Sequence, residues 1–138
     1  MRPPRRQHLN DRGASLVEFA IVLPLLVMLL LGVIEFGWAF AQNLEVKHIA
    51  REVGRLATVG ASDTEVEDRA CGGTIAQVTT VDSAGDTTAG GTATVTVIAT
   101  LEQITGFFGW ALGSVGNLKS EVEIRLEQPL DWTGPTSC

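Results

Sequence analysis

The chain has 138 residues, of which 45% are hydrophobic, and a formal net charge of −6. This length allows one membrane anchor and one small domain. Residues 1–13 hold four arginines and one aspartate, net +3, whereas the remainder holds six basic and fifteen acidic residues, net −9. Nucleic acid selects basic surfaces, so the acidic body predicts no nucleic-acid partner.

The first predicted element after the basic leader (residues 1–13) is a transmembrane helix over residues 14–41. Glu18 and Glu35 are the only charged residues in this apolar stretch, and roughly 20 apolar residues suffice to cross a bilayer. The two carboxylates are about 25 Å apart along a helix, so each can lie near one edge of the apolar slab. Because basic flanks stay inside, we expect the leader to be cytoplasmic and the acidic body to be extracytoplasmic.

Glu18 is unusual at the head of such a helix, because an acid within a membrane segment costs about 2.5 kcal/mol or more. If the chain were cut after Gly13, Ala14 would carry a new amino group and Glu18 would be the fifth residue of the mature protein. The amine and the carboxylate could then neutralise each other within one helix or between packed neighbours. The other interpretation places Glu18 at the headgroup level, where it needs no partner.

The residues around this glutamate resemble the N-terminus of the TadE/TadG-like family, the minor pilins or pseudopilins of the tight-adherence (Flp-type) pilus system. The similarity begins in Gly13-Ala14-Ser15-Leu16-Val17-Glu18-Phe19-Ala20 and the following Ile21-Val22-Leu23-Pro24-Leu25-Leu26. It continues through Gly32-Val33-Ile34-Glu35-Phe36-Gly37 and Ile49-Ala50-Arg51-Glu52-Val53-Gly54-Arg55-Leu56-Ala57. The resemblance therefore covers roughly residues 12–60, and beyond them only the layout agrees.

This resemblance implies a structural protein rather than an enzyme, with no cofactor. A prepilin peptidase would cut between Gly13 and Ala14, and Glu18 would serve assembly. The implied partners are this peptidase, the major Flp-type pilin, other minor pilins, the inner-membrane assembly platform and the lipid bilayer. The protein would be a single-pass inner-membrane protein that acts in assembly of the pilus or its secretion machine, with incorporation into the surface pilus as one outcome.

Two other interpretations of the helix remain open. Ala39-Phe40-Ala41 fits the small-x-small rule of signal peptidase, although the apolar run is longer than the usual ~7–15 residues of a signal peptide. The helix could also be a permanent, unprocessed anchor. With such an anchor, the chain would function as a membrane-tethered extracytoplasmic binding domain.

The helix is predicted to continue beyond the membrane as an amphipathic segment over residues 42–60. Apolar residues recur at three- and four-residue steps, the period of one helical stripe: Val46, Ile49, Ala50, Val53, Leu56, Ala57 and Gly60. His48, Arg51 and Arg55 occupy other faces, where we expect solvent, with a partner contact as the alternative. Gly60 is expected to end the helix, and Ser62 with Glu65 predicts the capping box of a short acidic helix.

Residues 61–138 are predicted to form a small β-rich domain. Thr74–Val81 is rich in threonine and valine and is predicted to be a strand, and residues 83–91 form a predicted loop. Thr92–Leu101 and Leu118–Glu127 alternate apolar and polar residues, which is the period of half-buried strands. We therefore predict an α+β, pilin-like fold in which the long helix packs on a mainly antiparallel sheet of about three strands.

Three further features concern the outer domain. Cys71 and Cys138 are the only cysteines, and outside the cytoplasm they can pair, remain free or pair between subunits. Residues 104–112 form an apolar segment that we expect to fill the core, with the bilayer surface or a subunit contact as alternatives. The sequence contains no recognisable catalytic, cofactor or metal motif, so we expect neither catalysis nor a metal site.

Overall fold

The computed structural model describes residues 11–106, 109, 116–132 and 134–138. The chain divides into two compact units, Met1–Ile34 and Glu35–Cys138. Helix α1 spans Asp11–Thr58 and α2 spans Asp63–Cys71. The strands are β1 (Gln77–Gly85), β2 (Thr92–Thr100), β3 (Asn117–Arg125) and β4 (Thr136–Ser137).

The first unit contains the apolar part of α1, in which the described side chains from Gly13 to Leu30 are exposed. Long aliphatic residues favour helix, and the window is long and apolar enough to cross a membrane by length and composition. Pro24 lies within the helix without ending it. The described part of α1 extends beyond the N-terminal bound predicted for the transmembrane helix at residue 14, because Asp11–Gly13 are also helical.

The second unit is a four-stranded antiparallel sheet with one face covered by the rest of α1. The strand order is β3-β2-β1-β4, and Val95 of β2 is aligned with Val122 of β3. The packing confirms the predicted α+β fold. Gly54 lets α1 approach β3 closely, since a Cβ built there would lie 3.1 Å from Ile124 Cγ2.

The core lies between the helices and the sheet. Its buried residues come from α1 (Val46, Ile49, Ala50, Val53, Ala57), α2 (Val66, Ala70), the sheet (Val78, Val81, Ala93, Val95, Val97, Ala99) and the C-terminal segment (Leu126, Leu130, Trp132). The alternating burial of β2 matches the period predicted from its sequence.

The end of α1 and the start of α2 follow the expected capping chemistry. Gly60 has φ = 72°, and the Ala61 N–H donates to the Leu56 carbonyl at 3.1 Å, which is the six-to-one bond of a Schellman motif. The Ser62 N–H donates to the Glu65 carboxylate at 3.2 Å. This second bond is the return arm of the predicted capping box.

Several expectations about the outer domain were wrong in detail. Strand β1 begins at Gln77 and not at Thr74, and it continues to Gly85 through residues predicted as loop. The four strands agree with the predicted sheet of about three, and the additional short strand is Thr136–Ser137, which pairs with β1. Ile104 is 54% exposed, so it does not fill the core as expected. Most of the remaining apolar segment, residues 107, 108 and 110–112, lies outside the described residues.

Candidate functional site

The residues singled out for processing and assembly lie at the start of α1. Gly13 and Ala14 lie in α1, close to its first described residue, Asp11. Both residues are exposed, and a Cβ built on Gly13 would meet nothing within 4 Å.

Glu18 is exposed one turn further along the helix. It lines a shallow surface depression together with Ser15, Phe19 and Val22. Ala14 and Glu18 are four residues apart, so they lie on the same side of the helix. The structure thus brings the predicted cleavage site and the predicted assembly residue onto one exposed helical face.

The second part of α1 carries three polar side chains that bind the backbone of the outer domain. Glu35, Gln42 and Glu45 each accept or donate hydrogen bonds to segments 29–70 residues further along the chain. Their positions on the helix place them towards the domain core, and Glu35 and Gln42 are buried. We call these three residues the polar clamps.

The side-chain amide of Gln42 pairs with the backbone of Glu102 as another backbone N–H and C=O would. Its amide nitrogen donates to the Glu102 carbonyl at 2.7 Å, and its amide oxygen accepts from the Glu102 N–H at 2.9 Å. The side chain is fully buried. Buried polar groups are costly unless paired, so this two-bond arrangement satisfies the amide and fixes the segment that follows β2.

The Glu35 clamp holds the same segment three residues later. Its Oε2 atom accepts from the Thr105 N–H at 3.1 Å and from the Thr105 hydroxyl at 2.7 Å. Seven residues of helix and three residues of extended chain both span about 10 Å. Residues 101–106, which we call the strap, therefore run antiparallel to α1 from Gln42 to Glu35.

The Glu45 clamp holds the chain between α2 and β1. Its carboxylate accepts from the N–H groups of Thr74 (2.9 Å), Ile75 (2.8 Å) and Ala76, and from the Thr74 hydroxyl (3.1 Å). Burial raises the pKa of Glu45, but the hydrogen bonds from Thr74, Ala76 and Ile75 outweigh it and lower the pKa below its usual value. These bonds also explain why residues 74–76 do not join the strand.

Cys71 and Cys138 form a disulfide with an S–S distance of 2.06 Å and a sequence separation of 67. It connects the end of α2 to the last residue of the chain, next to the short pairing of β4 with β1. The disulfide therefore fixes the C-terminal segment to the same part of the domain that Glu45 organises.

Sequence reasoning missed the roles of Gln42 and Glu45. Gln42 lies four and seven residues before Val46 and Ile49, so it extends the apolar stripe of α1 towards the membrane segment. A polar residue in register with an apolar stripe is the signal that could have indicated a buried, hydrogen-bonded amide. Glu45 carried no comparable signal, since its partners are backbone groups of a distant loop.

Among the described residues, one helix is long and apolar enough to span a membrane, and its second part packs on an antiparallel sheet in an α+β domain. Residues 13–55 match the family model described as TadE-like protein. The match confirms the resemblance over the membrane segment and the polar clamps, and a TadE-like domain indicates involvement with the Tad pilus system. No curated protein and no solved structure matches the chain significantly.

Proposed function

We propose that this chain is a minor pilin, or pseudopilin, that acts in assembly of a tight-adherence pilus or of its secretion machine. The observation that carries the proposal is the TadE-like match, which begins at Gly13, the residue before the proposed cut. The chain would act as a structural protein, and the chemistry of its maturation would belong to the prepilin peptidase.

The proposed maturation takes place close to the first described residue of α1. The peptidase would cleave between Gly13 and Ala14, where glycine lowers the helix stability by about 1 kcal/mol relative to alanine. Loss of the leader would remove all four of its arginines. The remaining chain would have a cytoplasmic start, one apolar span and an acidic extracytoplasmic domain.

Glu18 would gain a role only after this cleavage. The new amino group of Ala14 would stand four residues before the Glu18 carboxylate, on the same side of the helix. Opposite charges at that distance compensate each other, which reduces the cost of placing either in the membrane. In an assembly, the same pair could form between neighbouring helices, and the major pilin, other minor pilins and the inner-membrane platform would be the partners.

The proposal is tested by co-expressing the full chain with its host's prepilin peptidase. We expect loss of residues 1–13 from the wild type and from Gly37→Leu, and retention of the leader in Gly13→Leu. Gly37 is the matched control because it lies in the same helix and, like Gly13, has open space around it. Equal processing of both variants, or of neither the wild type nor the control, would contradict the proposed cut.

Assembly is tested separately through Glu18. In a host that makes the pilus, Glu18→Ala should be cleaved normally but should reduce pilus formation, since only the charge pairing is removed. Glu67→Ala, an exposed acid on α2, serves as the control. Normal piliation with Glu18→Ala would favour the alternative, in which α1 merely tethers an extracytoplasmic binding domain.

A further inference from the structure

The surface of α1 that points away from the sheet carries a row of basic residues. His48, Arg51 and Arg55 recur at steps of three and four residues and are exposed, whereas Val46 and Val53 on the opposite face are buried. We call these three residues the basic stripe. Such a row lies on one side of a helix, and here it borders a shallow depression that Glu52 also lines.

Helix α2 lies beside the basic stripe and runs antiparallel to α1. Its Arg69 contacts Glu52 of α1, and a Cβ built on Gly73 would lie 3.3 Å from the Ile49 side chain. Two residues after that, the chain reaches Glu45 through the Ile75 N–H. From Asp63 onwards, α2 therefore runs back along α1, away from the C-terminal end of α1 at Thr58 and towards Glu45.

The outer surface of α2 carries the opposite charge. Asp63, Glu67 and Asp68 of α2 are exposed, as is Arg69, and we call the three acidic residues the acidic stripe. Val66 and Ala70 are the buried residues of this short helix. Since Arg69 stands at the level of Glu52, Glu67 and Asp68 stand close to the level of Arg51 and Arg55.

Within the part of the chain that the structure describes, no ion pair involves Arg51, Arg55, Glu67 or Asp68. The ion pairs there join His48 to Glu52, Arg69 to Glu52 and Lys119 to Glu121. Arg51 and Arg55 are thus available on one helix, and Glu67 and Asp68 are available on its neighbour. The two stripes carry opposite charges and lie at the same level along the α1 axis. A surface with this arrangement can pair with a second copy of itself.

We propose that this surface is the interface of a homodimer, in which the basic stripe of each copy faces the acidic stripe of the other. A two-fold axis parallel to α1 exchanges the two helices and keeps every residue at its height, so Arg51 and Arg55 meet Glu67 and Asp68 of the second copy. The same axis leaves both copies with their N-terminal ends on one side, as two chains anchored in one membrane require. The contact is closed, so it joins two copies only, and it does not depend on pilus assembly.

The test uses charge reversal in the full chain, purified in a non-ionic detergent and measured by sedimentation velocity over a range of concentrations. Arg51→Glu with Arg55→Glu should weaken the dimer at least about tenfold, since several exposed ion pairs become repulsive. Glu67→Lys with Asp68→Lys should do the same. The chain with all four substitutions should regain the wild-type affinity to within about threefold, because the pairing is restored with the signs exchanged.

The matched control is Lys119→Glu with Arg125→Glu on β3, which changes the net charge by the same amount at exposed positions and should leave the dimer intact. Circular dichroism and an intact Cys71–Cys138 disulfide verify that each variant folds. A monomeric wild type would overturn the proposal, as would a dimer that survives both reversals. If the variant with all four substitutions did not recover the dimer affinity, the proposal would also be overturned, since the stripes would then not face each other. Each outcome is read without peptidase or pilus, so it is independent of the processing test.

Discussion

Replacement of Gln42 by methionine tests the most deeply buried of the polar clamps. Methionine has nearly the same length and packs in the same space, but it can neither donate to the Glu102 carbonyl nor accept from the Glu102 N–H. Two hydrogen bonds are lost, and the two backbone groups lose their protein partner at a part-buried site. At about 1–1.5 kcal/mol per bond, with more for each group that water does not reach, we expect a loss of about 2–4 kcal/mol.

The assay is denaturant unfolding of the full chain in detergent, followed through tryptophan fluorescence, because Trp132 is buried in the domain core. Gln77→Met is the control, since Gln77 is exposed at the start of β1 and should change the free energy of unfolding by less than about 0.5 kcal/mol. Hydrogen exchange at the Glu102 amide should also accelerate in Gln42→Met. Equal stability of the two variants would refute the argument that Gln42 holds the strap.

Two further predictions concern the other end of the domain. Glu45→Gln should destabilise the domain, and it should remove part of the loss of stability seen on acidification. Folding lowers the pKa of Glu45, so its contribution to the free energy of unfolding is present above the usual carboxyl pKa and is lost as the pH falls through the pKa of the folded state. Identical pH profiles of unfolding for the variant and the wild type would contradict this prediction. Replacing Cys71 and Cys138 together by serine should cost about 2–4 kcal/mol in thermal or denaturant unfolding, because a long loop is no longer closed in the unfolded chain. An unchanged midpoint would show that the disulfide does not restrain the C-terminal segment.

Local patterns in the sequence were sufficient to predict the elements that the fold is built from. The long apolar run predicts α1, the three- and four-residue recurrence from Val46 to Ala57 predicts its packed face, and strict alternation predicts β2 and β3. Each of these signals is a periodicity that one element displays by itself. The helix end at Gly60 and the capping box of Ser62 and Glu65 could also be predicted, because a cap is made by residues that are neighbours in sequence.

The polar clamps could not be predicted in the same way, because their partners are distant in sequence. The composition of Thr74–Ala76 predicts a strand, but the N–H groups of these residues donate to the Glu45 carboxylate. Strand β1 therefore starts at Gln77. Likewise, Ile104 reads as core, but the strap to which it belongs is held by Gln42 and Glu35 through its backbone. Tertiary hydrogen bonds thus overrode the local pattern at both places.

The central claim, that this chain is a processed minor pilin, is tested most directly by its intact mass and N-terminal residue after purification from membranes of the native host. We expect a chain that begins at Ala14 and keeps the whole of α1 beyond it. A chain that begins at Gln42 would show an ordinary signal peptide, and a chain that keeps residues 1–13 in the presence of an active prepilin peptidase would show an unprocessed anchor. Either result would contradict the account.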